Sequence, residues 1–128
     1  IPLFIKKIIN DEPLTVYGKN KTLDFTYVDD CVAGIIAGIE RLKNSTIKNE
    51  TINLAYGEGR TLIELTDLIG KTLGKQPKIN IENSKIGEVT HYIADISKAK
   101  ELLGYKPITN LPDGILKTIA WWRESNAL

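Results

Sequence analysis

Two spacings in the sequence have the residue types for chemistry. Tyr17 and Lys21 lie four positions apart. On one helix face the lysine would lower the phenol's pKa, and the phenol could then exchange protons with a substrate hydroxyl. Tyr17, however, closes the strand-like run Leu14-Thr15-Val16-Tyr17, and Lys21 sits in the Gly-Lys-Asn-Lys turn after it. Off a helix the two side chains are not neighbours, so chance spacing is the better reading. The second spacing is Ile52-Asn53-Leu54-Ala55-Tyr56-Gly57-Glu58-Gly59, with the acid-tipped run Lys78-Ile79-Asn80-Ile81-Glu82 after it. It imitates a dinucleotide-binding turn, where glycines admit a pyrophosphate to a helix N-terminus and an acid holds a ribose. Leu62 occupies the third glycine position, and Glu58 would face phosphate with like charge. A tight strand-to-helix turn is the plainer reading. A free-standing small-ligand or dinucleotide-binding module stays open as the alternative function.

The remaining reactive types stand alone. His91 is the single histidine and Cys31 the single cysteine, so a Cys/His zinc site and an internal disulfide are excluded. Cys31 lies on an apolar helix pattern, which predicts a buried, inert thiol. Asp29 and Asp30 open that helix and read as caps rather than as a hydrolytic acid pair. Trp121 and Trp122 read as core and surface cover. Three Asn-x-Ser/Thr matches, at Asn20, Asn44 and Asn49, read as chance in a chain rich in these residues.

A chain of 128 residues, 42% apolar and 26% charged, fits one soluble globular domain. A net charge of +1 gives no bulk attraction to nucleic acid or to a membrane surface. No apolar run has the length of a bilayer span, and Lys6 and Lys7 interrupt any leader pattern at the start. These features predict a cytoplasmic protein. The chain starts at Ile1 and contains no methionine, which suggests a processed start or a piece of something longer.

The elements that must position these residues alternate. Apolar spacing predicts helices over residues 2–10, 29–42, 61–73, 97–103 and 112–124. Strands are expected at 14–17, 24–28, 51–55 and 78–81, with a short extended piece at 91–94. The turn at 18–21 predicts a hairpin between the first two strands. Val32, Ile35, Ile36, Ile39 and Leu42 share helical spacing, and Ala33, Gly34, Ala37 and Gly38 leave a smooth patch for close packing. Thr61 with Glu64 makes a capping box, and Gly74 and Gly104 suit helix stops. The strands are few and short. The pattern predicts a small α/β, α+β-like domain rather than a full doubly wound sheet.

Three ordered segments carry a resemblance. They are Leu14 to Gly18 followed by Leu23-Asp24-Phe25-Thr26-Tyr27-Val28-Asp29-Asp30; Ile52-Asn53-Leu54 with the Gly57/Gly59 turn; and Gly87-Glu88 followed by Ala94-Asp95-Ile96-Ser97-Lys98-Ala99-Lys100 and Leu103-Gly104-Tyr105-Lys106-Pro107. Together they resemble the C-terminal, substrate-binding lobe of the NAD-dependent epimerase/dehydratase family, the extended short-chain dehydrogenases. UDP-glucose 4-epimerase is the best-known member.

The resemblance covers essentially the whole chain. It implies that residues 1–128 form a sugar-nucleotide-binding domain. The N-terminal Rossmann domain, with its NAD loop and catalytic Tyr/Lys pair, lies outside this sequence. NAD then belongs to the parent enzyme, and the fragment alone is expected to bind no cofactor, carry no catalytic residue and show no turnover. Val16 and Tyr17 match the strand against the nucleotide base, and Phe25 matches a position lining the same pocket. Lys85 falls where an arginine meets the diphosphate, Glu88 where an acid meets the ribose, and Gly87 lets the loop turn between them.

Two positions depart from the family: Leu23 replaces a second diphosphate arginine, and Lys85 lacks arginine's two-pronged grip. Asp30 and Asp95 match recurrent acids at helix starts and are expected to cap them. The smooth face at Ala33/Ala37 or Gly34/Gly38 is expected to pack on the missing Rossmann domain, its natural partner, so that the isolated fragment self-associates.

Overall fold

The computed structural model describes residues 1–84 and 87–126. Helix α1 (Pro2–Ile9) starts on a proline in its first turn and buries Ile5 and Ile8. Strand β1 (Leu14–Tyr17) buries alternate residues, Leu14 and Val16. Strand β2 (Thr22–Asp24) leads into α2 (Val28–Lys43). Strand β3 (Gly59–Thr61) enters α3 (Leu62–Leu73). Strands β4 (Ile79–Glu82) and β5 (His91–Tyr92) are followed by α4 (Ser97–Leu103) and α5 (Leu111–Asn126). The product is a small α/β domain.

The strands form two sheets. Strand β1 pairs in parallel with β4, Leu14 opposite Ile79 and Tyr17 opposite Glu82. Strand β2 is central in the other sheet, antiparallel to β3 and parallel to β5. The expected hairpin does not form. A tight turn is present, closed by the Lys21 amide on the Gly18 carbonyl at 3.0 Å, but it carries the chain from one sheet to the other. The second strand covers 22–24 rather than 24–28, and 51–55 forms no strand. Gly59 and Arg60, read as part of the turn before the helix, pair with β2 instead, together with Thr61.

Two apolar clusters hold the elements. The larger joins α1, β1, α3 and α5 through Ile5, Ile8, Leu14, Leu65, Ile69, Ile115 and Ile119. Burying each such side chain stabilises the fold by roughly 1.5–3 kcal/mol. Trp122 packs against this cluster and Trp121 is exposed, as read from their spacing. The smaller cluster is Ala99, Leu103 and Tyr105, with Ala37, Ile52 and Leu54 laid against it. Gly34 permits this contact: a β-carbon there would stand 2.6 Å from the Leu54 Cδ2.

On helix α2, Gly34 and Ala37 of the smooth patch face this domain's own second cluster, while a β-carbon at Gly38 would meet nothing within 4 Å. The apolar stripe points outward, with Ile35 50% and Ile36 52% exposed. Cys31, on the same helix, is half-buried rather than fully buried.

Helix α3 is capped as predicted. The Thr61 hydroxyl accepts from the Glu64 amide at 3.1 Å, and the Glu64 carboxylate accepts from the Thr61 amide at 2.7 Å. Gly74 ends the helix in the left-handed conformation. The Thr61 amide, then the Thr61 hydroxyl, hold the Glu64 carboxyl below its ordinary range. Its folded pKa is depressed, so its contribution is present above the unfolded value and disappears as pH falls through the folded one. Thr61→Ala is expected to cost about 1 kcal/mol, read as a shifted midpoint in urea.

Candidate functional site

Strands β1 and β4 run in parallel, so their carboxyl ends open on the same side, where α/β folds commonly place ligands. A cleft of about 450 Å³ lies there. The turn after β1 supplies Gly18, Lys19, Asn20 and Lys21; the chain after β4 supplies Asn83 and Ser84. Thr90 and His91 close a third side, because the Thr22 amide donates to the Thr90 carbonyl at 2.8 Å and draws that segment to β2.

Gly18 is required here. Its φ is +80°, and a β-carbon would meet the Ser84 hydroxyl at 2.3 Å. Its amide donates to the Glu82 carbonyl at 2.8 Å, which holds the two loops together.

Lys21 reaches across the chain to ion-pair with Glu88. The lysine side chain is 17% exposed and the carboxylate 32% exposed, so water screens the pair only in part. Lys21 and Glu88 therefore hold each other at the site. The Tyr17/Lys21 spacing makes no helical pair: Tyr17 is the last residue of β1, opposite Glu82. The cleft can offer ammonium, carboxylate, amide and hydroxyl groups to a charged, polyhydroxylated ligand. Among the described residues no group of three His, Cys, Asp or Glu could hold a metal ion. No helix among them is long and apolar enough to cross a membrane.

The other expected site residues are spread over different places. Val16 is 1% exposed, so its side chain belongs to the interior and only its backbone faces a strand edge. Tyr17 is 39% exposed. Gly87 has a φ of +82°, as its role in a turn requires. Lys85 lies outside the described residues. Phe25 is not in the polar cleft. It lines a separate, more apolar cavity of about 210 Å³ with Ile1, Tyr27, Val28, Thr109 and Ile115. Lys117 stands over the Tyr27 ring at 4.9 Å beside it.

The Gly57/Gly59 turn does not fit a dinucleotide pyrophosphate. The amides that would face phosphate are already taken: Tyr56 donates to the Asp24 Oδ1 at 3.1 Å, and Gly57 to the Asp24 Oδ2 at 3.0 Å. Asp24 thus builds this turn, a role that nothing local in the sequence signals.

The capping roles divide. Asp95 accepts from the Ser97 amide at 2.9 Å, at the start of α4. Asp30 makes no cap for α2; its two oxygens accept from the Ile108 and Thr109 amides. Its burial under the segment ahead of α5 explains the difference. Sequence reading also missed the lining set Asn83, Ser84, Thr90 and His91, whose one signal is a cluster of polar residues around two strand ends.

Comparison with known proteins places this geometry. Residues 1–118 match the family model described as GDP-mannose 4,6 dehydratase. The uncharacterized UDP-glucose epimerase YtcB of Bacillus subtilis is 36% identical over 118 residues, 91% of this chain and 36% of that protein. A structure of UDP-glucuronic acid 4-epimerase from Bacillus cereus, in complex with UDP-4-deoxy-4-fluoro-glucuronic acid and NAD, matches with a TM-score of 0.83. Its identity is 36%, covering 95% of this chain and 38% of that one. UDP-glucose 4-epimerase from Thermotoga maritima, solved with UDP-glucose, matches with a TM-score of 0.84 at 27% identity, covering 97% of this chain and 39% of that one. The chain therefore spans little more than a third of the length of these relatives.

Proposed function

The chain belongs to the NAD-dependent epimerase/dehydratase family, through its GDP-mannose 4,6 dehydratase model, and from that premise we propose that it is the nucleotide-sugar-binding region of a sugar-nucleotide epimerase or dehydratase. The observation that carries the reading is the polar cleft at the carboxyl ends of β1 and β4, with the Lys21–Glu88 pair at its side. It occurs on a backbone matched by enzymes solved with UDP-sugars.

In this reading the ligand is a UDP-sugar of the glucose or glucuronic acid type. Tyr17 offers a ring to the base, since aromatic stacking tolerates many partners. Glu88 accepts from ribose hydroxyls, oriented by Lys21. Lys85 and the turn lysines neutralise the diphosphate. NAD is held by a separate Rossmann domain, and hydride chemistry takes place there. This region binds and orients; on its own it turns nothing over. The single cysteine supports a cytoplasmic setting.

Isothermal titration of the protein as encoded in its genome tests this. UDP-glucose or UDP-glucuronic acid is expected to give a saturable heat, with GDP-, CDP- and dTDP-sugars as comparators. Glu88→Gln is expected to weaken binding by about tenfold, roughly 1.4 kcal/mol. No heat with any nucleotide sugar would sink the reading.

A further inference from the structure

The proposed function leaves one face of the three-stranded sheet unused. Leu23, in the middle of β2, stands opposite Arg60 of β3 and Tyr92 of β5. Residues paired in register send their side chains to the same face, so Arg60, Leu23 and Tyr92 form one row across the sheet. Contacts on the other face agree. A β-carbon at Gly59 would meet the Thr22 Cγ2 at 2.3 Å and the Ile93 Cδ1 at 2.6 Å, and each of these three residues is one position away from the row. In the row itself the Arg60 side chain is 50% exposed and Tyr92 is 68% exposed, with Leu23 half-buried between them.

A strand face built only to meet water carries polar residues. This row carries a leucine, a phenol ring and one guanidinium. Arg60 approaches Glu58 at 3.5 Å, and both side chains are at least half-exposed. Water screens such a pair, and it occupies little of a fork with five N–H donors. The row also begins where the ion pair stands. Strands β2 and β5 run in parallel with Thr22 opposite His91, and Lys21 and Glu88 lie just ahead of them. A ligand held by Glu88 therefore meets this row one step along the strands, with Arg60 about 5 Å across the sheet from Leu23.

We propose that Arg60 is a specificity-determining residue of the ligand site: its guanidinium takes the diphosphate of the nucleotide sugar whose ribose Glu88 holds. Leu23 is the floor beneath it and Tyr92 the far wall. The inference rests on the nucleotide-sugar reading above. A planar fork gives two parallel N–H···O bonds to phosphate oxygens, which the ammonium groups of the turn lysines cannot match. Leu23 carries no charge, so the cation of this row comes from β3. The site then selects nucleoside diphosphates over uncharged nucleosides through a residue one strand away from β2.

Binding to the protein as encoded in its genome tests it, with UDP-glucose and UDP followed by calorimetry and uridine by ligand-observed NMR. Arg60→Ala is expected to weaken UDP-glucose and UDP about tenfold and uridine by less than about twofold. Arg60→Lys is expected to recover only part of the loss. Adding Leu23→Arg to Arg60→Ala returns a guanidinium to the same row and is expected to recover most of it. The urea midpoint of Arg60→Ala is expected to match the parent's, since the side chain is exposed. UDP affinity unchanged in Arg60→Ala overturns the inference and leaves the nucleotide-sugar reading standing. So does an equal loss for UDP and uridine, because the effect then does not come from phosphate. A parent protein that binds no nucleotide sugar at all removes that reading and this inference together.

Discussion

Replacing Asp24 with alanine is expected to lower the unfolding free energy by about 2–4 kcal/mol, through amides left without an acceptor. The Asp24 Oδ1 accepts from the Tyr56 amide at 3.1 Å, and its Oδ2 from the Gly57 and Ala94 amides at 3.0 and 3.3 Å. One half-buried carboxylate therefore joins β2 to the turn before β3 and to the segment after β5. Alanine removes both acceptor oxygens and with them all three bonds. The Tyr56 amide keeps a second partner, the Thr26 hydroxyl at 3.1 Å, so the loss falls mainly on Gly57 and Ala94. For a domain of this size the change corresponds to a melting point lower by roughly 10 °C. Asp24→Asn keeps one acceptor oxygen and is expected to lose about half as much. Urea denaturation of the three proteins measures it. An alanine variant within about 0.5 kcal/mol of the parent, the range of an ordinary surface change, would show that water satisfies these amides.

Asp24 also marks where the sequence stops being legible. Helices announce themselves locally, because their hydrogen bonds close within four residues and their caps sit at fixed offsets. Thr61 with Glu64, Gly74 after α3 and the buried Ile115 and Ile119 of α5 all follow from spacing. Sheet partners carry no such offset. Strand β1 looks like the first arm of a hairpin, but Leu14 pairs with Ile79, and the turn at 18–21 serves as a link between sheets. Residues 51–55 have the alternation of a strand but no strand partner among the described residues, which no local pattern can report.

The site divides in the same way. Tyr17 ends β1 and Gly87 makes a positive-φ turn, as the local shape of each segment announces. The Lys21–Glu88 pair spans 67 positions, and only folding brings it together. Val16 was readable as a strand residue, but alternation alone does not say which face a ligand meets. Burial gives its side chain to the core. Helix α2 is the sharpest instance. Periodicity identified its apolar stripe, but periodicity names no partner, and only the fold shows that the stripe points away from this domain.

Asp30 gives the second large effect, and it separates two roles that sequence alone confuses. A carboxylate in the first turn of α2 that acted only as a cap would be worth about 1 kcal/mol. Asp30 is instead 5% exposed and accepts from the Ile108 amide at 3.1 Å and the Thr109 amide at 2.9 Å, 78 and 79 positions away. It fastens the start of α2 to the segment that leads into α5. Asp30→Ala leaves the Ile108 and Thr109 amides without their acceptor, and is expected to cost about 3–4 kcal/mol. Asp30→Asn leaves one acceptor and turns an amide N–H toward a second donor, so it recovers at most half of that loss. The expected order, alanine worse than asparagine and both well beyond a cap, is read from denaturation midpoints. Exchange at the Thr109 amide, protected in the parent and released in the alanine variant, assigns the loss to this contact.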